Sequence, residues 1–233
     1  MQILMLSSSK ANNSEYLAPC REMIQAHLGE VTSCLFIPFA GITMTYDAYT
    51  QKVQDALPEY TITGIHQYAD PIKAISEAQS ILVGGGNTFH LLYQLQTQDL
   101  MPAIQAAVAK HTPYIGWSAG SNICGSSIRT TNDMPIIEPP SFTALGFVPC
   151  QLNPHYTDEH PEGFHGETRD ERLSEFSALN PDIPVIGIRE GGALIRQGDT
   201  LTLAPVNDGI QMLNGKKTQI PAGADLTYCL SIS

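Results

Sequence analysis

The sequence predicts a three-layer α/β fold in which helices flank a mainly parallel sheet and the C-terminal part is antiparallel. Two observations predict it. Short apolar runs alternate with amphipathic helical patterns through the first half of the chain, which is typical of a parallel sheet covered on both faces. After residue 192 the pattern changes to alternating residues with frequent turns, among them Gly198-Asp199 and Asn214-Gly215, which favour antiparallel strands.

The predicted elements follow one another with little interruption. Apolar runs predict strands at 2–7, 34–40, 60–66, 80–83, 113–117 and 184–188. Helical spacing predicts helices at 14–28, 46–57, 88–95, 99–109 and 167–179. Asp70-Pro71 opens a further short helix, with Asp70 as the N-cap and Pro71 at the first helical position. Residues 128–166 are rich in Pro, Asn, Asp and His, and such a long irregular stretch is usually functional or disordered.

Composition limits the class of protein. The chain has 233 residues, enough for a sizeable core, and it has no internal repeat or linker, so we expect one domain over 1–233. The formal net charge is -11 with only 12 Lys and Arg, which argues against a nucleic-acid partner.

The expected location is the cytoplasm. The five cysteines are widely spaced without a C-x-x-C pattern, which favours reduced thiols. The N-terminal apolar run is too short for a signal peptide, and no run approaches the length of a membrane span.

The most informative stretch is Gly116-Trp117-Ser118-Ala119-Gly120, which has the pattern G-x-S-x-G. This pattern is the signature of a nucleophile elbow, a tight strand-to-helix turn that presents a serine hydroxyl above the sheet. Such a turn also directs the N–H of Ala119 at a developing oxyanion. The pattern alone is only moderately specific, because it also arises by chance in loops.

A serine nucleophile needs a base, and His155 is the best candidate among the seven histidines. It follows Leu152-Asn153-Pro154, which places it in a loop at a strand end. The competing explanation is that His155 is an ordinary polar residue of a loop without a catalytic role. The segment also contains His160 and His165, but their spacing and the intervening Pro161 and Gly163 suit zinc poorly, and we expect no metal.

The histidine of such a site is oriented by an acidic residue, and two carboxylates are candidates for that role. Asp133 lies between the serine and the histidine in chain order, as in α/β-hydrolases. Glu190 directly follows the predicted strand 184–188, where a parallel sheet would present it at the edge of the site. Either carboxylate could instead be a solvated side chain or a cap.

Gly84-Gly85-Gly86 follows another predicted strand. It could bind a phosphate, but the sequence G-x-x-x-x-G-K-[ST] is absent. The motif G-x-G-x-x-G does not match either, because Phe89 stands in place of the last glycine. Because an elbow is present elsewhere, we favour Gly85 or Gly86 as a second oxyanion donor beside Ala119. A simple tight turn is the remaining alternative.

Together these residues resemble the peptidase E family of α-aspartyl dipeptidases. These enzymes belong to a wider group of serine hydrolases that includes cyanophycinase and resembles the flavodoxin-like, class I glutamine amidotransferase-like fold. The matching motifs span most of the chain in the family's order: 36–41, 83–89, 114–120, 128–135, 153–155 and 166–169.

The resemblance implies a cytoplasmic serine dipeptidase that cleaves Asp-X dipeptides through an aspartyl-enzyme intermediate, without a cofactor, as a monomer or homodimer. It implies Ser118 as nucleophile and His155 as base, and it matches both Asp133 and Glu190 to proposed acid positions, with Asp133 slightly preferred. Asn87 falls in a matched motif and is expected to contact substrate.

A guanidinium suits the carboxylate of a substrate aspartate. Arg169 and Arg129 are therefore the candidates for specificity, with Arg169 ahead because its motif matches, although each could form an ordinary surface ion pair. The alternatives to an Asp-X dipeptidase are a cyanophycinase-like hydrolase of β-aspartyl-arginine and a catalytically silent relative that binds a small ligand.

Overall fold

The computed structural model describes residues 1–159, 163 and 165–231. Its strands are β1 (Gln2–Leu6), β2 (Ser33–Ile37), β3 (Thr61–Gly64), β4 (Ile81–Val83), β5 (Tyr114–Trp117), β6 (Gln151–Pro154), β7 (Val185–Ile188), β8 (Ala193–Gln197), β9 (Thr200–Leu203), β10 (Gly209–Leu213) and β11 (Lys216–Ile220). Its α-helices are α1 (Arg21–Leu28), α2 (Tyr46–Ala56), α3 (Pro71–Glu77), α4 (Thr88–Thr97), α5 (Met101–Ala109), α6 (Ala119–Asn122) and α7 (Arg169–Leu179).

The strands form two sheets. The larger has the order β3-β2-β4-β5-β1-β8-β9, and its first five strands are parallel while β8 and β9 are antiparallel. The smaller has the order β11-β10-β7-β6, in which β6 and β7 are parallel and the other pairs antiparallel. The two parallel sets each gather their carboxyl ends at one edge, which is where sites form in such sheets.

Helices cover both faces of the large sheet. Alternate side chains of its parallel strands point to opposite sides, as the strand period of two requires. On one side Leu4, Phe36 and Trp117 pack with residues of α1 and α2. On the other, Ile3, Ile37 and Val83 share a core with α3, α4, α5 and the small sheet. The α/β fold with a mainly parallel sheet flanked by helices is confirmed.

Several boundaries differ from prediction. The first α-helix begins at Arg21 and not at 14, because Leu17 has φ 60° and the chain from Ala18 to Cys20 is a short 3-10 helix. The strand predicted at 60–66 ends at Gly64. The irregular stretch contains β6, whose four residues are too short for a periodic signal. Among the described residues, no helix is long and apolar enough to cross a membrane.

Candidate active site

Ser118 lies on a strained turn between β5 and α6. Its backbone has φ 54° and ψ -112°, a conformation that non-glycine residues rarely adopt. Its N–H donates to the carbonyl of Leu6 at 3.1 Å, and its own carbonyl accepts from the N–H groups of Ser121 and Asn122. The Ser121 hydroxyl lies within hydrogen-bond distance of the Leu6 and Gly116 carbonyls, at 2.6 and 2.8 Å. These hydrogen bonds keep Ser118 in an unfavourable backbone conformation, which is a common feature of functional sites.

The flanking glycines are required because the backbone segments nearly touch. A Cβ added to Gly116 would lie 2.1 Å from the carbonyl oxygen of Gly120. One added to Gly120 would lie 2.2 Å from the carbonyl oxygen of Val83. Neither separation is possible for a real side chain, so the turn can form only with glycine at both positions. This gives the G-x-S-x-G pattern a steric cause in this chain.

His155 contacts the serine directly. Its Nε2 lies 2.9 Å from the Ser118 Oγ. The residue follows the last residue of β6 and has φ 56°. Its N–H donates to the Ser7 hydroxyl at 2.9 Å, and that hydroxyl donates to the carbonyl of Ile188 at 2.7 Å. Ser7 therefore fixes the histidine against the ends of β1 and β7, a role that sequence analysis does not predict.

Glu190 completes the line of contacts. Its Oε1 lies 2.8 Å from the His155 Nδ1. Parallel pairing of β6 with β7 sets Pro154 opposite Ile188, so the residues after both strands emerge at one edge. An imidazole placed between a hydroxyl and a carboxylate can take a proton from the first while the second stabilises the resulting charge.

Asp133, which sequence analysis slightly prefers as the histidine's partner, contacts other groups, and the identity of the acid stays a prediction. Its Oδ2 accepts from the N–H and the hydroxyl of Thr88, at 2.7 and 2.5 Å, and from the Thr131 hydroxyl at 3.3 Å. No hydrogen bond or ion pair joins it to His155 within the described chain. Asp133 instead anchors its loop to the start of α4. Chain order could not reveal this, because it says nothing about which strand ends are neighbours.

The predicted oxyanion donors border the serine. A Cβ on Gly85 would lie 3.0 Å from the Ser118 Cβ, which shows how closely the two backbones approach. Ala119 is the first residue of α6, where N–H groups lack intrahelical partners. Within the described residues, no hydrogen bond uses the N–H of Gly85, Gly86 or Ala119. These groups are free to bind a negatively charged oxygen, and their role stays a prediction.

Ser118 and His155 open into a cavity of about 570 Å³. Gly85, Gly86 and Asn87 line it, as expected. Asn87 is the N-cap of α4 and also donates to the carbonyl of Met134 at 2.9 Å. Sequence analysis missed other lining residues, including Tyr16, Tyr49 and Lys52. They lie far from every recognised motif, and only the packing of the N-terminal part on the sheet brings them here.

The two candidate arginines are separated in the structure. Arg169 is the first residue of α7 and lines a hollow with His155 and Glu190. Burial lowers its pKa, and no hydrogen bond or ion pair holds its guanidinium among the described residues. Arg129 lines a different cavity, bonds to Ser127 and Asn180 and lies over the Phe176 ring. The structure therefore does not bring Arg129 to the serine.

An ionic network supports the segment that follows His155. Asp158 pairs with Arg189 and with Lys217, and the Tyr156 hydroxyl donates to Asp158 and to Asp170. Lys217 also pairs with Asp170 at 2.8 Å. Burial alone would raise the pKa of Asp158, but the hydrogen bonds from its cationic partners and Tyr156 outweigh it and hold that pKa well below its usual range. The network joins β7, β11 and the start of α7.

The metal hypothesis gains no support from the part of the chain that can be described. No group of three or more His, Cys, Asp or Glu side chains there is arranged to hold an ion. His155 contacts Ser118 and Glu190, while His160 lies outside the described residues.

The comparisons with known proteins identify a family. Residues 3–204 match the model of peptidase family S51. The chain is 51% identical to a peptidase E of Shewanella amazonensis over 99% of both chains, and 50% identical to one of Shewanella oneidensis over 97% of this chain and 98% of the relative.

Solved structures support the fold alone. A crystal structure from Listeria monocytogenes EGD-e, described as that of a peptidase E protein, has a TM-score of 0.69 at 19% identity, covering 88% of this chain and 98% of that one. A peptidase from an acI-B1 Actinobacterium has a TM-score of 0.72 at 17% identity, covering 97% and 96%. On the evidence of the family match and the full-length relatives, the chain belongs to peptidase family S51 and is a serine-type peptidase.

Proposed function

We propose that this peptidase hydrolyses dipeptides with an N-terminal aspartate, Asp-X, through an aspartyl-enzyme intermediate on Ser118. The observation that carries the proposal is the continuous line of contacts from the Ser118 Oγ through His155 to Glu190, at 2.9 and 2.8 Å. The relatives named peptidase E, about half identical over nearly the whole chain, support the same activity. The cyanophycinase-like and silent-relative alternatives are not favoured.

In the proposed reaction His155 takes the Ser118 proton while the hydroxyl attacks the scissile carbonyl. Glu190 orients the imidazole and stabilises its positive charge. The N–H groups of Ala119 and of Gly85 or Gly86 bind the oxyanion, a contribution typically worth about 3 kcal/mol for one donor. His155 then protonates the departing amine as the C–N bond breaks. Water attacks the ester with His155 again as base, the bond from the acyl carbon to the Ser118 Oγ breaks, and His155 returns the proton to that Oγ as aspartate leaves.

Arg169 is the proposed partner of the substrate's aspartyl carboxylate. It is half-buried, it shares a hollow with His155 and Glu190, and its guanidinium forms no hydrogen bond or close ion pair among the described residues, although the charge of Asp133 acts on it. In a chain with a net charge of -11, an acidic substrate needs such a local positive group. Asn87, at the rim of the serine's cavity, is proposed to contact the substrate as well.

Four further expectations stay predictions: one domain, a cytoplasmic location, a monomeric or homodimeric state and the lack of a nucleic-acid partner. The proposed steps use only groups of this chain and water.

The test is hydrolysis of Asp-Leu by the wild type and by Ser118→Ala. We expect the substitution to lower kcat by at least about 10⁴-fold and to abolish labelling by a serine-directed phosphonate. Ser76→Ala is a matched control, because among the described residues that exposed hydroxyl bonds only the Lys73 carbonyl of its own helix. Full activity in Ser118→Ala would refute the proposal, and a panel with Asn-Leu, Glu-Leu and β-aspartyl-arginine would test the substrate class.

A further inference from the structure

Lys52 brings a positive charge to the serine's cavity. It lies on α2 and lines the same cavity as Ser118 and His155. Its side chain is exposed, so its ammonium group can meet a ligand that enters from solvent. Nothing in the relay of Ser118, His155 and Glu190 uses this residue.

The ammonium group is held by an aromatic ring and not by a carboxylate. The Lys52 Nζ lies 4.3 Å from the centroid of the Tyr16 ring, within the range of a cation–π contact. Burial and the neighbouring Tyr49 raise the pKa of Tyr16 far above its usual value, so the ring belongs to a neutral phenol. The Tyr16 hydroxyl donates to the Tyr49 hydroxyl at 3.3 Å, and the Tyr49 hydroxyl donates to the Gly85 carbonyl at 2.8 Å. Packing thus links Lys52 to the glycine turn beside Ser118.

The lysine has no anionic partner among the described residues. Glu15 and Asp55 line an adjoining hollow with Lys52, but neither forms an ion pair with it, and Asp55 accepts from Gln51 at 2.7 Å. The chain has only 12 Lys and Arg for 23 Asp and Glu. A cation left unpaired at the mouth of the cavity is therefore available to a ligand.

Lys52 and Arg169 lie on different sides of His155. Lys52 lines the cavity that contains Ser118, whereas Arg169 lines the hollow that contains Glu190. An Asp-X dipeptide carries two carboxylates, one on the aspartyl side chain and one at its C-terminus, on either side of the scissile bond. The arrangement of cations around the relay matches this arrangement of charges.

Resting on the proposed function, we propose that Lys52 binds the C-terminal carboxylate of the leaving residue. A longer peptide has a neutral amide at that position, and would forgo this interaction. Lys52 would then be the residue that favours dipeptides over longer chains, whereas Arg169 selects the aspartate.

The test compares Asp-Leu with Asp-Leu-amide, which differ only in the charge at the C-terminus. We expect wild type to favour Asp-Leu in kcat/KM by about tenfold, the size of one partly exposed charged contact. Lys52→Met should abolish this preference by raising KM for Asp-Leu, and Lys52→Arg should keep most of it. Arg169→Met should lower kcat/KM for both substrates by the same factor, because both carry the aspartyl side chain.

Lys10→Met is the matched control, since Lys10 lines the adjoining hollow without reaching the serine's cavity. An unchanged preference in Lys52→Met would overturn the inference, as would an equal loss for both substrates, which would assign Lys52 to the aspartyl group or to packing. If wild type hydrolyses neither substrate, the proposed function itself fails, and the two failures are thereby distinguished.

Discussion

The serine and the histidine of the site come from regions that are built in different ways. Ser118 stands at the end of β5 in the large sheet, and its conformation is imposed by backbone contacts with Leu6 and between the flanking glycines. His155 stands at the end of β6 in the small sheet, and it is held by side chains, namely Ser7 and Glu190. Backbone contacts tolerate no added atoms, whereas side-chain contacts can be weakened one at a time. The two regions should therefore fail differently when mutated.

Gly116→Ala should have the largest effect, because it tests the region built by backbone contacts. The added methyl group would lie 2.1 Å from the Gly120 carbonyl oxygen, so the turn must open and Ser118 must lose its contact with His155. We expect activity to fall to background and the free energy of unfolding to fall by about 3 kcal/mol or more. Urea denaturation and Asp-Leu hydrolysis measure both effects.

Gly215→Ala is the control for that prediction. Unlike Gly116, Gly215 has a positive φ, +66°, and no atom lies within 4 Å of an added Cβ. Only the backbone strain remains, about 1 kcal/mol, and activity should be unchanged. Equal effects of the two substitutions would show that the close approach at the elbow is not what constrains Ser118.

Glu190→Gln tests the region built by side-chain contacts. The amide keeps the size of the carboxylate but cannot balance the positive charge that His155 acquires, so kcat should fall about 10³- to 10⁴-fold with little loss of stability. Asp133→Asn should instead affect stability more than activity. It should lower the free energy of unfolding by about 1–2 kcal/mol, since the carboxylate accepts from Thr88 and Thr131, and change kcat less than tenfold.

A kcat that falls as far in Asp133→Asn as in Glu190→Gln would contradict the geometric assignment of the acid. The pair of variants therefore decides between the two carboxylates that sequence analysis leaves open.

Asp158→Asn should have the smallest effect, and it depends on pH. Cationic partners hold the pKa of Asp158 below its unfolded value, so its contribution to stability is present above about pH 4 and is lost as the pH falls through the folded pKa. Because the side chain is 42% exposed, solvent screens the pairs and we expect about 1 kcal/mol at pH 7. Urea denaturation at pH 7, 4 and 3 should show that the difference in free energy of unfolding between wild type and variant becomes smaller as the pH falls.

The exposed Asp182 provides the control. Asp182→Asn should leave the free energy of unfolding unchanged at all three pH values. A difference between wild type and Asp158→Asn that stays constant from pH 7 to pH 3 would show that the carboxylate's charge is not what stabilises the segment after His155.

Sequence analysis could predict the tight turn at Ser118 because its cause is local. Gly116, Ser118 and Gly120 are within five residues, and the steric demand of the turn is written directly into their identities. The parallel strands were predicted for the same reason, since each is a short apolar run between turn signals. Helix starts were less accurate, as Leu17 and the turn beginning at Ala18 show, because tertiary packing overrides helical periodicity there.

The sequence by itself therefore determined the α/β class, the serine on its turn and the histidine at a strand end. Only the tertiary structure decided which carboxylate faces that histidine, which arginine shares a hollow with the histidine and that Lys52 reaches the cavity of the serine. These depend on contacts between distant segments, such as the pairing of Pro154 with Ile188 that brings Glu190 to His155. Local sequence patterns specify turns and periodicities, but the register between two strands is set by the packing of the whole core.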